Sequence, residues 1–296
     1  MDDPLDPDSK LLSVRHFGRR LRTYYPSDSF PSVSVTGGAC DMACQYCNRK
    51  YLKHMMAATS PARLREVLLE LHTQGALGCL ISGGYTREGK VPLQPFLKVI
   101  REIKAETDLI INVHPGLVSV PEAEELAAAE VDIISADVVG HDKIVQDVIG
   151  LDASAQNYFD NLHILQEADL TVIPHIGLGF AHGTMLGVRE AITASLAIKP
   201  SLLVFLILRP TKGTPMEEVL PPSSAEVREI FTWTRNQAPA VEQALGCMRP
   251  RAEEFDRIAF ETGVNRIVLP RKAIVEAARE ANYTIERYET CCIYPL

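Results

Sequence analysis

Three cysteines near the start of the chain have a spacing typical of a metal centre. Cys40, Cys44 and Cys47 form a C-x3-C-x2-C pattern directly after the first predicted strand. Seven cysteines placed at random in 296 residues would rarely form such a triple, so chance explains it poorly. Three thiolates from one loop can ligate three irons of a [4Fe–4S] cluster and leave the fourth iron open for an outside ligand. A zinc site is the alternative, and it would need a fourth ligand from elsewhere.

The four other cysteines comprise one isolated thiol and a group that a second metal centre could use. Cys79 lies inside an apolar run, which is typical of a buried, inert thiol. Cys247 follows a late predicted strand, and Cys291 and Cys292 are adjacent near the C-terminus. These three thiols are enough for a second iron–sulfur cluster whose fourth iron takes a hydroxyl, an arginine or an exogenous sulfur. The alternatives are free thiols in a frayed tail and a regulatory disulfide.

The composition is that of a globular protein. Of the 296 residues, 46% are apolar and 23% are charged, which excludes a disordered chain. A net charge of −8 argues against a nucleic-acid partner. The longest apolar run, 202–208, is too short to span a bilayer, and the acidic residues 1–6 lack the features of a signal peptide. We therefore expect a cytoplasmic protein with neither a membrane nor a nucleic-acid partner.

Short β-rich runs alternate with amphipathic segments, and this alternation must position the cysteines. The predicted strands are 32–35, 78–82, 109–113, 132–138, 171–177, 202–208, 244–247 and 265–269. The predicted helices are 61–71, 93–104, 121–129, 155–167, 186–198, 224–234, 252–262 and 272–281. This order predicts an α/β fold, namely a full or partial (β/α)8 TIM-type barrel, with a doubly wound sheet as the alternative. In either fold, chemistry concentrates at the carboxyl ends of the strands.

A C-x3-C-x2-C triple at this place resembles the signature of the radical S-adenosylmethionine (SAM) superfamily. The resemblance implies that Cys40, Cys44 and Cys47 ligate a [4Fe–4S] cluster that binds SAM through its amino and carboxylate groups. It further implies that the cluster reduces the sulfonium, and that the 5′-deoxyadenosyl radical so formed abstracts a hydrogen atom from the substrate.

The loop contains two further matches to this superfamily and one departure from it. Tyr46 matches the aromatic position that contacts the adenine. Gly83 and Gly84 match the turn at which exposed backbone meets the methionyl amino group, since glycine permits close approach. The superfamily usually has glutamate at the next position, where this chain has Tyr85, so Tyr85 receives no catalytic role.

Residues at the ends of later strands are further candidates. Asp137 matches the region in which related enzymes hold the SAM ribose, and a helix cap is the alternative. Gly177 resembles the glycine-rich segment that approaches the adenine. Arg209 could meet the SAM carboxylate or form a salt bridge at the barrel rim. His114 and His175 could bind substrate or a cluster, with a structural hydrogen bond as the alternative.

Nearly the whole chain resembles the biotin-synthase-like branch of the superfamily. The matching segments are 34–37, 80–84, 112–116, 135–140, 174–177, 210–216, 246–250 and the final cysteine pair. Within this branch the chain is most similar to a subunit of the two-protein lipoyl synthase, the member that acts first, on the octanoyl form. No cysteine precedes Cys40, so the N-terminal cluster motif of one-protein lipoyl synthase is missing.

This resemblance implies a sulfurtransferase of lipoyl cofactor biosynthesis. A SAM-derived radical would abstract hydrogen from a protein-bound octanoyl chain. The carbon radical would then take a sulfide from a sacrificial auxiliary [4Fe–4S] cluster held by Cys247, Cys291 and Cys292. The implied partners are an octanoylated lipoyl-carrier domain, a companion radical SAM subunit and a low-potential electron donor.

Two other functions compete with this interpretation. One is another radical SAM enzyme with a single cluster, such as a biotin-synthase-like enzyme, a methylase, a mutase or a cofactor-maturation enzyme. The other is a non-enzymatic metal-binding protein.

The expected organisation has three parts: an N-terminal extension (1–30), the barrel (31–283) and a C-terminal tail (284–296) that closes the barrel mouth. The extension carries a basic stretch that could dock an acidic carrier domain or the companion subunit, with a solvated helix face as the alternative. The stretch comprises Arg15, His16, Arg19, Arg20 and Arg22.

Overall fold

Eleven parallel strands form one sheet in residues 9–295, which this computed structural model describes. The strands are β1 (Arg20–Tyr24), β2 (Ser32–Ser34), β3 (Met56–Ala57), β4 (Gly78–Ser82), β5 (Ile110–Val113), β6 (Ile133–Val138), β7 (Val172–Leu178), β8 (Leu202–Ile207), β9 (Glu242–Leu245), β10 (Arg266–Val268) and β11 (Thr284–Tyr288). Their order in the sheet is β11-β1-β10-β9-β8-β7-β6-β5-β4-β2-β3. Within the described residues the edge strands β3 and β11 do not pair, so the sheet is an open, partial barrel. This confirms the predicted α/β barrel class in its partial form.

Helices connect the strands, as crossovers between parallel strands require. They are α1 (Ser9–Phe17), α2 (Pro61–Thr73), α3 (Leu97–Glu106), α4 (Val120–Ala128), α5 (Ala155–Glu167), α6 (Val188–Ala197), α7 (Ser224–Gln237), α8 (Glu253–Glu261) and α9 (Lys272–Glu280). Shorter helical turns occur at Tyr51–His54, Gln94–Phe96 and Ile144–Ile149. No helix in residues 9–295 has both the length and the apolar character needed to cross a bilayer.

Every strand and helix that the sequence predicts is present, with bounds shifted by a few residues. The start of α2 illustrates why the pattern is reliable. Ser60 caps the helix by accepting the Arg63 N–H at 3.2 Å, and Pro61 occupies the first turn, where its missing N–H costs nothing. One face of α2 is then buried through residues at helical spacing, namely Leu64, Val67, Leu68 and Leu71.

Four elements are not predicted from the sequence: α1, β1, β3 and β11. Charged residues in β1 and β11 hide the strand pattern, because isolated charges are unfavourable in a sheet. In the structure these charges neutralise one another. Arg22 bonds Glu242 at 2.9 Å and Glu286 at 3.1 Å. Sequence reasoning on one strand cannot see a partner more than 200 residues away.

The two terminal segments, 1–30 and 284–296, both contribute to the sheet. Their strands β1 and β11 pair in register from Arg20↔Thr284 to Tyr24↔Tyr288. Strand β1 also pairs with β10, so it joins β11 to the rest of the sheet. Residues 1–8 and 296, including the acidic N-terminus, lie outside the described residues.

The interior face changes from apolar to polar toward the carboxyl ends of β5, β6 and β7. Alternate residues of a strand share one face, and on β6 this face carries Ile133, then Ser135, then Asp137. On β5 the same face carries Ile110 and Asn112, followed by His114 just after the strand. On β7 it carries Ile173 and then His175. A hydrogen bond of 3.0 Å between Ser135 and Asn112 links the polar levels of β5 and β6. Strand β8 stays apolar along this face, through Leu202, Val204 and Leu206.

The C-terminal tail packs on the apolar level of this interior. Cys292 and Ile293 are buried in one cluster with Ile133 and Leu202, the first residues of β6 and β8. Arg266, the first residue of β10, donates to the Cys292 carbonyl at 2.8 Å. The same cluster also includes residues at the carboxyl ends of strands, such as Val268, the last residue of β10. The tail therefore packs inside the barrel, and its closure of the barrel mouth stays a prediction. Ile293 is fully buried there, which accounts for this placement.

Candidate metal and cofactor site

The loop after β2 brings Cys40, Cys44 and Cys47 together at the carboxyl end of the sheet. The Cys40 sulfur accepts the Tyr85 N–H at 3.3 Å, and Asp41 N–H donates to the Tyr85 carbonyl at 2.8 Å. Cys47 N–H donates to the Cys44 carbonyl at 3.1 Å, which closes a turn between these two ligand candidates. The loop is thus held both by itself and by the end of β4.

This loop fits a [4Fe–4S] cluster by the chemistry of its donors. All three cysteines are free and half-buried. Burial, followed by the fields of Cys47 and Cys40, raises the pKa of the Cys44 thiol to about 12. Thiols that raise one another's pKa in this way need a cation in order to ionise, and bound iron supplies it. The ligand roles of the three residues stay predictions.

Gly84 lies against the cysteine loop so closely that a side chain cannot be added. A Cβ at Gly84 would stand 2.5 Å from Cys40 Cβ and 2.6 Å from Cys40 Cα, and it would overlap the Ala39 carbonyl oxygen. The Gly84 N–H donates to the Thr36 hydroxyl at 2.7 Å. At neighbouring Gly83 a Cβ would be 3.0 Å from the Thr36 hydroxyl oxygen, a tight but milder contact.

Replacing Gly84 with alanine should therefore displace Cys40. We expect the G84A variant to bind at least about tenfold less iron than wild type after reconstitution, because the obstructing atoms are backbone and cannot move alone. Iron and sulfide analysis measures this loss. G83A is the matched control and should keep most of its iron. Equal iron content in G84A and wild type would contradict the argument.

Tyr46 and Gly177 meet through a third residue, Phe180. The ring of Phe180 packs edge-on against Tyr46, with a centroid distance of 4.7 Å and an interplanar angle of 82°. A Cβ at Gly177 would overlap this same phenylalanine ring. Gly177, the last residue but one of β7, therefore makes room for Phe180, and the predicted adenine contacts of Tyr46 and Gly177 stay predictions.

Asp137 forms a compact polar group with His114 and Tyr85 near the cysteine loop. His114 Nε2 lies 3.0 Å from Asp137 Oδ2, and the Tyr85 hydroxyl donates to the same oxygen at 3.3 Å. Burial works against ionisation of Asp137, but His114, His175 and Tyr85 together outweigh it and lower its pKa. For His114, burial opposes protonation, yet Asp137 raises its pKa. Each residue therefore favours the charged form of the other.

His175 and Arg209 do not belong to the hydrogen-bonded group around Asp137. Burial lowers the pKa of His175 to about 4, and its Nδ1 lies 3.0 Å from the Ile173 carbonyl, so a neutral, structurally bonded histidine results. Arg209 is exposed, and no carboxylate in residues 9–295 pairs with it, so the rim salt bridge considered above is not formed. Its proposed contact with the SAM carboxylate stays a prediction.

The other three cysteine candidates come from two distant segments and converge. Cys247 follows β9 and keeps solvent contact, Cys291 is half-buried, and Cys292 is buried. The protein atoms packed around the Cys247 sulfur, and then the field of Cys291, raise the pKa of this thiol. The hydrogen bond that the Cys292 thiol donates lowers the pKa of Cys291, and the fields of Cys291 and Cys247 both contribute to raising that of Cys292. The three sulfurs are therefore within electrostatic reach of one another.

A buried hydroxyl beside this group has no partner. Tyr24 is fully buried, and its hydroxyl makes no hydrogen bond to any described residue. Burial raises the pKa of Tyr24, and Cys292 is among the charges that influence it. A buried hydroxyl without a partner costs about 1–3 kcal/mol, so a group beside the thiols that accepts a hydrogen bond from it would remove that cost. This environment fits a second iron–sulfur cluster with few polar neighbours.

The loop that presents Cys247 is rigidly attached to the barrel. Arg249, which is 1% exposed, donates to the Gly246 carbonyl at 2.6 Å and to the Val268 carbonyl at 2.7 Å. It also forms a buried ion pair of 2.7 Å with Asp256. Such a pair fixes the geometry of the loop more than it adds to the stability of the fold.

Cys79 belongs to neither group of cysteines. It is fully buried in β4, and burial raises its pKa to about 12.

The basic stretch is divided between two elements. Arg15 and His16 lie in the last turn of α1, whereas Arg20 and Arg22 lie on β1. It is therefore not one solvated helix face. Arg20 and Arg22 pair with Glu286, and Arg22 also pairs with Glu242, so part of its charge is neutralised. His16, Arg20 and Arg22 line a cleft of about 400 Å³ at the amino-terminal side of the barrel.

Tyr85 is the polar neighbour of Asp137 that sequence reasoning misses. The superfamily usually has a glutamate at this position. Sequence reasoning assigns Tyr85 no role because a tyrosine lacks the charge of that glutamate. The sequence offers one weak signal, because Tyr85 follows directly after the glycine pair at the end of a predicted strand. Phe180 is missed for a simpler reason: a single aromatic residue in a loop has no distinguishing pattern.

A parallel partial barrel with a three-cysteine loop after its second strand is the architecture of radical SAM proteins. The chain belongs to the radical SAM superfamily, whose family model matches residues 34–189, more than half of the 296 residues.

Among curated proteins, the chain is similar to two biotin synthases. It is 26% identical to that of Magnetococcus marinus over 62% of this chain and 57% of the relative, so less than two thirds of that relative's length is matched. It is 21% identical to that of Christiangramia forsetii over 89% of this chain and 74% of the relative.

Solved structures with the same fold include methylornithine synthase and HydG, a maturase of the [FeFe]-hydrogenase. The first has a TM-score of 0.66 at 14% identity and covers 94% of this chain and 87% of its own. The second has a TM-score of 0.69 at 13% identity and covers 96% and 69%. Identities this low establish the fold alone.

Proposed function

We propose that this radical SAM enzyme inserts one sulfur atom into a protein-bound octanoyl chain in lipoyl cofactor biosynthesis. Its SAM-binding [4Fe–4S] cluster would be held by Cys40, Cys44 and Cys47. A second [4Fe–4S] cluster, held by Cys247, Cys291 and Cys292, would be the sulfur donor. The similarity to two biotin synthases supports the branch. The substrate rests on the sequence motifs that resemble the two-protein lipoyl synthase.

The convergence of Cys247 with the C-terminal pair carries this proposal. The two segments are separated by more than 40 residues, α8, β10, α9 and β11, yet the fields of the three thiols act on one another. The unpartnered Tyr24 hydroxyl beside them is independent support for a group bound at this place.

The layered interior suits an aliphatic substrate beside a charged cofactor. Cys292 lies in an apolar cluster with Val204, Ala244 and Val268, and this cluster excludes water from the acyl chain. The charged pair of His114 and Asp137 stands on the opposite, polar part of the interior, near the cysteine loop. A hydrocarbon arm and SAM would therefore meet between the two regions.

Within this arrangement the residues of the chain have distinct tasks. When bound, the first cluster supplies the electron that cleaves SAM reductively. Gly83 and Gly84 leave room for the methionyl end of SAM, and Asp137 accepts hydrogen bonds from its ribose. The tail places Cys291 and Cys292 inside the barrel, where Arg266 holds the backbone. An octanoylated carrier domain, a companion subunit and a low-potential electron donor complete the proposal.

Mass spectrometry of an octanoyl-lysyl peptide tests this function. The peptide is incubated anaerobically with reconstituted enzyme, SAM and a reductant. We expect a product that has gained one sulfur atom, together with 5′-deoxyadenosine. Formation of 5′-deoxyadenosine with an unmodified peptide would support another radical SAM reaction, and absence of both products would favour a non-enzymatic protein.

A further inference from the structure

Tyr85 touches both the cysteine loop and the carboxylate of Asp137. Its backbone N–H donates to the Cys40 sulfur at 3.3 Å. Its hydroxyl donates to Asp137 Oδ2 at 3.3 Å and lies 3.3 Å from His114 Nε2. One residue therefore spans the space between a candidate cluster ligand and the candidate ribose ligand.

The bonds around Asp137 leave one of its oxygens free. Both His114 and Tyr85 bond Oδ2, and Oδ1 has no hydrogen-bond partner among the described residues. With Oδ2 held from two sides, the carboxyl group cannot rotate without breaking both bonds. Oδ1 is then available to accept hydrogen bonds from a ligand in a fixed direction.

We propose that Tyr85 is a positioning residue for SAM, which sets the distance and orientation of Asp137 relative to the cysteine loop. SAM meets the protein at two ends: the methionyl group at the cluster and the ribose at Asp137. The aromatic ring of Tyr85 is a rigid spacer between these ends, since it has only two rotatable side-chain bonds. The tyrosine thus has a use of its own at a position where the superfamily usually has glutamate. The proposal rests on the radical SAM membership of the chain and on the predicted ribose contact of Asp137, and it is independent of sulfur insertion.

Tyr85→Phe tests this role in the reconstituted enzyme, because it removes the hydroxyl and keeps the ring and the bond to Cys40. We expect iron content equal to that of wild type and a Kd for SAM about tenfold higher. The KM for SAM in the 5′-deoxyadenosine assay should rise by the same factor, while kcat at saturating SAM stays within about twofold. In EPR spectra of the reduced enzyme, the spectral change that SAM causes should occur at a correspondingly higher SAM concentration.

Tyr158→Phe is the matched control. Tyr158 is buried and lies near enough to Asp137 to feel its charge, but its hydroxyl has no hydrogen bond in residues 9–295. It should bind SAM as wild type does. Asp137→Asn, which keeps the shape of the side chain, should weaken SAM binding at least as much as Tyr85→Phe.

Three results would overturn the proposal. The first is wild-type affinity for SAM in Tyr85→Phe. The second is equal weakening in Tyr158→Phe, which would indicate a general packing effect. The third is loss of iron from Tyr85→Phe, which would make Tyr85 a support of the cysteine loop only. Since no acyl substrate is present in these measurements, they do not depend on the outcome of the peptide experiment.

Discussion

Replacing any one of Cys40, Cys44 and Cys47 with alanine should remove about four irons per chain and abolish the cleavage of SAM. A cluster that keeps one iron open for SAM has only three protein ligands, so the loss of one leaves too few to retain it. The turn between Cys44 and Cys47 and the contact of Cys40 with Tyr85 hold the three ligand candidates in place. Iron analysis and a 5′-deoxyadenosine assay on anaerobically reconstituted protein measure both effects.

Cys79→Ala is the control for this experiment. It also removes one cysteine and creates a small cavity in β4, but the thiol is fully buried and far from any ligand role. It should keep its iron and its SAM cleavage. The interpretation fails if a single variant of the loop retains the full iron content, or if wild-type protein binds zinc as its only metal.

Replacing Cys247, Cys291 and Cys292 together with alanine should remove the second cluster and leave the first. We expect wild type to hold about eight irons per chain and the triple variant about four. SAM cleavage should continue in the variant, because the cysteine loop after β2 is intact. Sulfur transfer to the octanoyl peptide should be lost completely, since the proposed donor is absent.

Cys247→Ala alone is the safer version of this experiment. Its side chain is exposed, and the bonds of Arg249 to neighbouring carbonyls hold the loop without it, so folding should be unaffected. Cys292, by contrast, is buried beside Ile293, and its loss creates a cavity. An iron content that stays the same in the triple variant would exclude the second cluster, and the enzyme would then be a single-cluster radical SAM protein.

The alternation of strands and helices could be predicted because each element carries its own pattern. Leu64, Val67, Leu68 and Leu71 face one way on a helix whatever the rest of the chain does. Strand β1 could not be predicted, because its arginines look unsuited to a sheet until Glu242 and Glu286 are placed beside them. The position of the tail was likewise out of reach, since it depends on which apolar side chains remain uncovered inside the barrel.

The sequence by itself determined the fold class, the cysteine loop after β2 and the family, because these depend on residues that are close together in the chain. Only the tertiary structure decided that Tyr85 bonds Asp137 and that Cys247 meets Cys291 and Cys292. It also decided that Cys292 and Ile293 of the tail pack in the apolar interior of the barrel. The physical reason is the same in each case. Hydrogen bonds, fields and apolar contacts act through space over a few ångströms, and they join residues whose separation in sequence has no pattern to reveal it.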